Sequence, residues 1–207
     1  MQPAQKIIRE VQLLSNNTCK IIAVSKKKSA LDILEAKKMG FSHFGENYIQ
    51  EMISKLDAFQ GCTLHFIGHL QTNKCNDAVE HCDYIHSIDR IKLASAIEKS
   101  CIRFNKRIGG FIQINLTNEE SKGGVSLNKF DELYNHIQKN CPHIQLKGIM
   151  YMPPANEDPE PLFLKANSLK QKYNLEELSM GMSKDYLTAI KNGATYVRIG
   201  SAIFGQR

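Results

Sequence analysis

The sequence lacks several features that mark particular classes of protein. None of its six cysteines, at positions 19, 62, 75, 82, 101 and 141, forms a C-x-x-C pair, which favours free thiols in a reducing cytosol over a disulfide scaffold. No apolar run approaches the length of a membrane span, and residues 1–10 are polar and contain no hydrophobic signal core. We therefore expect a cytoplasmic protein with no membrane partner.

Long basic blocks and low-complexity linkers are also missing. The longest run of Lys and Arg covers only residues 26–28, and the net charge of +6 is spread over the whole chain without interleaved aromatic residues. Nucleic-acid binding then rests on net charge alone, and we do not expect it. Because no linker divides the chain and 42% of its residues are apolar, we predict a single domain over residues 1–207.

Short apolar or alternating runs recur along the chain, and segments of helical periodicity separate them. This strict alternation predicts a parallel sheet, and eight repeats predict a closed (β/α)8 TIM barrel in the α/β class, with an extra N-terminal helix over residues 4–14. An open doubly wound sheet of six or seven strands is the alternative. The predicted strands cover residues 20–24, 42–44, 64–67, 84–88, 111–115, 145–150, 177–180 and 196–199.

Lys26 follows the first apolar run with only Ser25 between them. Active sites of such barrels lie at the C-terminal ends of the strands, and lysine is rarely placed at a buried position unless its amine is used. Desolvation and the neighbouring Lys27 and Lys28 would lower the pKa of the Lys26 amine and make it a nucleophile toward carbonyl groups. A solvated lysine in a surface charge run is the competing interpretation.

Polar turns follow the seventh and eighth predicted strands, where barrels usually bind phosphate. Ser183 is predicted to cap the helix after the seventh strand, Gly181 and Gly200 allow close approach of the backbone to a ligand, and Ser201 adds a hydroxyl and an amide. A phosphate site opposite a nucleophilic Lys26 indicates pyridoxal 5′-phosphate (PLP) bound as a Schiff base.

Arg198 alternates with Val197 and Ile199, so its side chain faces away from theirs. Beside a PLP ring, a permanently cationic arginine would keep the pyridine nitrogen unprotonated and weaken the ring as an electron sink. The alternative is that Arg198 pairs with a carboxylate in the core.

A second alternative concerns the spacing Cys62-x-x-His65-x-x-x-His69, which superficially resembles a set of metal ligands. Residues 64–67 are predicted to form a strand, which would place His65 and His69 at different depths, so we expect no metal site. His69 alone is a candidate acid or base, or a hydrogen-bonding residue within the site.

At these positions the chain resembles the PLP homeostasis protein family, whose members are single-domain relatives of the N-terminal barrel of alanine racemase with PLP fold type III. The resemblance implies that Lys26 forms the Schiff base, that Arg198 lies near the pyridine nitrogen, and that Asn47 lies near the ring. It also implies that Ser183, Gly200 and Ser201 hold the phosphate. The matching stretches are AVSK (23–26), FGENY (44–48), HFIGHLQ (65–71), IHSID (85–89), SMGMS (179–183) and VRIGSAIFG (197–205).

Two departures from the family pattern stand out. Lys27 replaces the threonine that commonly follows the Schiff-base lysine, which makes the local charge more positive and would alter how readily PLP is released. The N-terminal helix is also short compared with typical members.

The resemblance implies a protein that carries or buffers PLP in the cell without robust catalysis, and we expect a monomer with PLP-dependent apoenzymes as candidate recipients. A racemase would need a second, β-rich domain that supplies a tyrosine base, whereas this sequence ends at Arg207 directly after the last predicted strand. The enzymatic alternative is a PLP-dependent racemase or lyase, or a Schiff-base aldolase, on the same barrel.

Overall fold

Eight parallel strands close into a barrel in the computed structural model, which describes residues 3–117 and 123–205. β1 pairs with both β2 and β9, and β4 pairs with β5, so the ring has no open edge. The predicted (β/α)8 barrel is confirmed and the open doubly wound sheet is wrong. The strands are β1 (Lys20–Val24), β2 (His43–Glu46), β3 (Thr63–Phe66), β4 (Tyr84–Ile88), β5 (Ile108–Asn115), β6 (Val125–Ser126), β7 (Ile144–Tyr151), β8 (Glu177–Ser179) and β9 (Tyr196–Ile199).

The two-residue strand β6 does not belong to the ring and was not predicted. It pairs with the end of β5, where Ile114 lies opposite Val125. A strand of this length leaves no periodic pattern in the sequence. The other differences are at strand ends, the largest being β5, which begins at Ile108 rather than at the predicted residue 111.

Helices alternate with the strands around the barrel, and the predicted N-terminal helix is present as α1. The helices are α1 (Pro3–Ser15), α2 (Ala30–Lys38), α3 (Ile49–Ile53), α4 (Cys75–His81), α5 (Ile91–Phe104), α6 (Leu127–Asn140), α7 (Pro159–Lys172), α8 (Tyr186–Lys191) and α9 (Ser201–Phe204). Over the described ranges, no helix combines the length and the apolar character that crossing a membrane requires. All six cysteines are free thiols.

The core has two parts because each strand buries both faces. The larger part lies between the outer face of the sheet and the helices, and the smaller part is formed by Ile22, Phe111, Met150 and Tyr196. Ile22 lies opposite Arg198 in the register of β1 and β9, and Tyr196 precedes Arg198 by two residues, so these side chains point to the same face. The smaller cluster therefore fills the barrel interior beneath the Arg198 side chain.

Candidate functional site

A cavity of about 610 Å³ opens at the C-terminal end of the barrel, within the usual size range of small-molecule sites. It is lined by residues at or after the ends of six strands, among them Lys26 after β1, Asn47 after β2, Ser183 after β8, and the end of β9 with the residues after it. All six residues that we predicted to bind a cofactor are among those that line the cavity, namely Lys26, Asn47, Ser183, Arg198, Gly200 and Ser201. Closure of the barrel between β1 and β9 brings the two ends of this set together.

Lys26 lies in a tight turn that ends the first strand. The Lys28 amide donates to the Ser25 carbonyl at 3.1 Å, and Lys27 adopts a left-handed conformation with φ of 60°. The Lys27 amide also donates to the Glu51 carboxylate. These contacts fix the backbone on both sides of Lys26, whose partly buried side chain reaches the cavity.

A buried lysine anchors this turn from below. The Lys55 ammonium, 7% exposed, shares its three hydrogens among four acceptors: the Ser25 carbonyl at 3.1 Å, the Lys28 carbonyl at 3.2 Å, and the Glu46 and Glu51 carboxylates at 2.8 Å each. The Ser25 hydroxyl also donates to Glu46 at 2.7 Å. Burial raises the pKa of the Glu46 carboxyl, and the bonds from Lys55 and Ser25 act in the opposite direction.

Neither Lys55 nor the buried role of Glu46 was predicted from the sequence. The available signal was the spacing of Glu51 and Lys55, which lie four residues apart and form an ion pair. On a surface helix that spacing is common, so it does not by itself identify a buried network.

Arg198 is held by three hydrogen bonds inside the barrel. One terminal nitrogen donates to the Ser179 carbonyl at 2.8 Å and to the Ser179 hydroxyl at 2.9 Å, and the other donates to the Tyr151 carbonyl at 3.0 Å. Burial lowers the pKa of the guanidinium to about 10, and the nearby Asp185 opposes this shift, so the group remains a cation at neutral pH. In the described structure these partners are carbonyls and a hydroxyl, which contradicts the alternative that Arg198 pairs with a core carboxylate.

The predicted helix cap at Ser183 is wrong, although the residue does line the cavity. α8 begins three residues later at Tyr186, and residues 182–185 form a turn in which the Tyr186 amide donates to the Met182 carbonyl at 2.9 Å. The Asp185 carboxylate accepts the Met182 amide at 2.6 Å and stabilises this turn. Gly181 precedes it with φ of +88°, a conformation that favours glycine.

The other side of the cavity is formed where β9 leads into the short helix α9. Gly200 precedes this helix and Ser201 is its first residue, so amide groups of its first turn point away from the helix body. The Lys28 ammonium donates to the Phe204 carbonyl at 2.8 Å and links this helix to the turn that carries Lys26.

The charges and polar atoms of the cavity suit an anionic ligand. Four cationic side chains line it, from Lys26, Lys28, Lys184 and Arg198, against the carboxylates of Glu157 and Asp185. The Asn47 side-chain oxygen is buried and has no hydrogen-bond partner among the described residues. A buried acceptor of this kind needs a donor, so the cavity fits an anion that also presents a polar hydrogen.

The described residues do not assemble the metal site considered from the sequence. Both ring nitrogens of His65 form hydrogen bonds with other histidines, His43 and His86. His69 lines a separate cavity of about 260 Å³ that also borders Asn47. Within residues 3–117 and 123–205, no group of three or more His, Cys, Asp or Glu residues is arranged to hold a metal ion.

Comparison with known proteins gives a consistent picture. Residues 4–207 match the family model described as "Alanine racemase, N-terminal domain". The chain is 41% identical over 207 residues to the pyridoxal phosphate homeostasis protein of Haemophilus influenzae, in an alignment that covers 93% of this chain and 87% of the relative. It is 39% identical over 200 residues to the protein of the same name from Escherichia coli, covering 90% of this chain and 85% of the relative.

Solved structures share the same architecture. PipY of Synechococcus elongatus, in a structure with PLP bound, superimposes with a TM-score of 0.90 at 30% identity, covering 98% of this chain and all of that chain. Alanine racemase of Corynebacterium glutamicum superimposes with a TM-score of 0.73 at 18% identity, covering 99% of this chain and 60% of that chain. At that identity the likeness to the racemase concerns the fold alone.

Proposed function

Because the chain belongs to the pyridoxal phosphate homeostasis proteins of the alanine racemase N-terminal domain family, we propose that it binds PLP in the cavity at the C-terminal end of its barrel. One observation carries the proposal: a lysine, an arginine, an asparagine and two serines that are distant in the sequence line the same cavity. The excess of cationic side chains there suits a phosphate ester, and the unpaired Asn47 oxygen suits a ring that carries a hydroxyl group.

Each residue has a distinct role in this proposal. Lys26 provides the amine for the covalent link, Ser183, Gly200 and Ser201 hold the phosphate, and Asn47 lies beside the ring. When bound, PLP supplies an aldehyde carbon that captures an amine and an aromatic ring that withdraws electrons from it. Lys28 and Lys184 add positive charge on the side of the cavity where the phosphate is proposed to bind.

Arg198 limits how strongly the ring withdraws electrons. A guanidinium has donors and no acceptor, so it cannot receive a hydrogen bond from a protonated ring nitrogen. Its three bonds to Ser179 and Tyr151 hold it in place as a cation. An unprotonated ring nitrogen makes PLP a weaker electron sink, which favours retention of the cofactor over its use in catalysis.

The lining of the cavity supports a carrier more than an enzyme. Among the described residues that line it, none is histidine, tyrosine or cysteine; its carboxylates are those of Glu157 and of Asp185, and Asp185 is already bonded to the Met182 amide. We therefore propose that the chain holds PLP without robust turnover, as one cytoplasmic domain over residues 1–207 and as a monomer. PLP-dependent apoenzymes are the proposed recipients.

The test is the visible absorption spectrum of the purified protein, recorded before and after borohydride. The wild-type protein is expected to show a yellow band that borohydride bleaches, and digestion is expected to locate the reduced adduct on the peptide that contains Lys26. Lys26→Ala should lack the band. Lys99→Ala, on the exposed face of α5, is the matched control and should keep it.

Two results would contradict the proposal. A wild-type protein that stays colourless after incubation with PLP would remove the cofactor assignment. Stereospecific racemisation of an amino acid, in proportion to the PLP-bound fraction, would remove the carrier role and leave an enzyme on the same barrel.

A further inference from the structure

A series of hydrogen-bonded side chains, which the proposed function does not use, runs through the barrel interior. The His43 Nδ1 and His65 Nε2 atoms are 3.0 Å apart, and the His65 Nδ1 and His86 Nε2 atoms are 2.9 Å apart. The His86 Nδ1 atom lies 3.0 Å from the Ser179 hydroxyl, which in turn accepts from Arg198. These contacts connect β2, β3, β4 and β8 to the arginine on β9.

The histidines of this hydrogen-bonded series are enclosed by aromatic rings. His65 and His86 are fully buried, with His65 stacked on Tyr84 at a centroid distance of 4.7 Å and His86 stacked on Phe111 at 4.1 Å. Burial is the main cause that lowers the pKa of both imidazoles well below its usual range, and the Arg198 cation lowers that of His86 further. Both rings are therefore neutral at physiological pH.

Arg198 and the Ser179 hydroxyl together set the direction of the hydrogen bonds. A guanidinium only donates, so one lone pair of the Ser179 oxygen accepts from Arg198. If the other lone pair accepted from His86 Nδ1, the hydroxyl hydrogen would have no acceptor among the described residues, so we assign that hydrogen to His86 Nδ1. A neutral His86 then carries its proton on Nε2 and donates to His65 Nδ1. By the same argument His65 donates from Nε2 to His43 Nδ1.

We propose that His86, His65 and His43 form a one-way hydrogen-bond chain that positions Arg198 through the hydroxyl of Ser179. His86 is the positioning residue nearest to the site, because its Nδ1 takes the Ser179 hydrogen and so turns the lone pairs of the hydroxyl toward the guanidinium. The link to a PLP ring rests on the proposed function, whereas the hydrogen-bond chain and its direction do not.

Several charged groups face this chain and influence its protonation. Lys20 on β1 lies at the His43 end and donates to the Tyr196 hydroxyl at 3.1 Å, and it also lies 3.8 Å from Glu177 on β8. Asp83, which precedes β4, opposes the effect of Lys20 on His43. Tyr84 and Tyr196 flank the rings with their phenol groups, and Arg198 is the cation at the other end.

The first experiment determines the tautomers in the wild-type protein without cofactor, by NMR of protein labelled with nitrogen-15 in its histidines. All three imidazoles are expected to be neutral and protonated on Nε2 near neutral pH. An Nδ1-protonated tautomer or an imidazolium at His65 or His86 would overturn the proposal. This measurement requires no variant, so it holds whether or not a substituted protein folds.

The second experiment measures PLP affinity and the position of the visible band in variants. His86→Phe keeps a ring against Phe111 but removes the acceptor, and we expect roughly tenfold weaker binding, about the loss of one hydrogen bond between neutral groups, with a shifted band. His86→Asn restores an acceptor near the Nδ1 position and should recover most of the affinity. His136→Phe, between α5 and α6 where His136 bonds to Ser95, is the matched control.

The outcomes separate the two proposals. If the wild-type protein binds no PLP, the proposed function fails, and the tautomers still show whether the hydrogen-bond chain of the three histidines exists. If the wild-type protein binds PLP and His86→Phe retains its affinity and its spectrum, the positioning role fails and the proposed function stands.

Discussion

Replacing Lys55 with methionine should be among the most destabilising substitutions in this protein. The Lys55 ammonium is 7% exposed and the Glu46 side chain is 0% exposed, and a single Glu46 oxygen accepts from both Lys55 and Ser25. Methionine preserves the volume of the side chain but leaves the Glu46 carboxylate buried beside Ser25 alone. Breaking a buried ion pair from one side costs about 3–5 kcal/mol, and we expect a loss in this range.

Urea unfolding, monitored by circular dichroism, measures this loss as a change in the free energy of unfolding. The control is the double variant Lys55→Met with Glu46→Gln, which removes both charges and should be more stable than Lys55→Met alone. PLP affinity provides a second measurement, because Lys55 also binds the Ser25 and Lys28 carbonyls on either side of Lys26. We expect weaker binding in the single variant.

The destabilisation should depend on pH in a defined direction. Burial already raises the pKa of Glu46, and removal of the Lys55 ammonium raises it further. At pH values above about 4.3, the unfolded pKa of a glutamate, Glu46 would ionise in the unfolded chain but stay protonated in the folded variant. The loss in the free energy of unfolding therefore grows as the pH rises from about 4.3 to the folded pKa of Glu46. A loss below about 1 kcal/mol at neutral pH, or one that does not shrink in acid, would refute this account, because an unpaired buried carboxylate would then carry no penalty.

Two further predictions concern the backbone near the cavity. Gly181→Ala should cost about 1–3 kcal/mol more than Gly40→Ala. Both glycines have positive φ, but only the new Cβ at Gly181 would lie 2.5 Å from the Ala189 Cβ. Thermal unfolding of both variants measures the difference in stability, and equal costs would contradict the prediction. Ser29→Ala should cost about 1 kcal/mol through loss of the α2 capping box with Asp32, while Ser168→Ala within α7 should change the free energy of unfolding by less than about 0.5 kcal/mol.

The fold could be predicted from the sequence because its main signals are local. Each barrel strand is a short apolar run, and each is followed by a helical segment, so period and order together indicate the closed parallel sheet. Strand ends then predict the lining of the cavity, since all parallel strands end on the same side. The strand β6 and the exact start of β5 at Ile108 carry no such pattern.

What could not be predicted depends on contacts that leave no periodic pattern in the sequence. The cap assigned to Ser183 was wrong because the carboxylate of Asp185, two residues later, accepts the Met182 amide and forms a turn there. The partners of Arg198 were also missed, since two of its three bonds go to backbone carbonyls, which any residue type would supply. Likewise, nothing in the sequence near Lys55 or His86 indicates that these side chains lie in buried networks.

The pairing of the first strand with the last has a consequence for biosynthesis. Ile22 lies opposite Arg198 and Ala23 opposite Ile199, so Lys26 meets the arginine and the Gly200–Ser201 turn only after β9 has been made. A ribosome-bound nascent chain that contains β1 to β8 therefore has the lysine but not the arginine. Such a chain cannot complete the cavity, and capture of the ligand becomes possible only once translation of the barrel has finished.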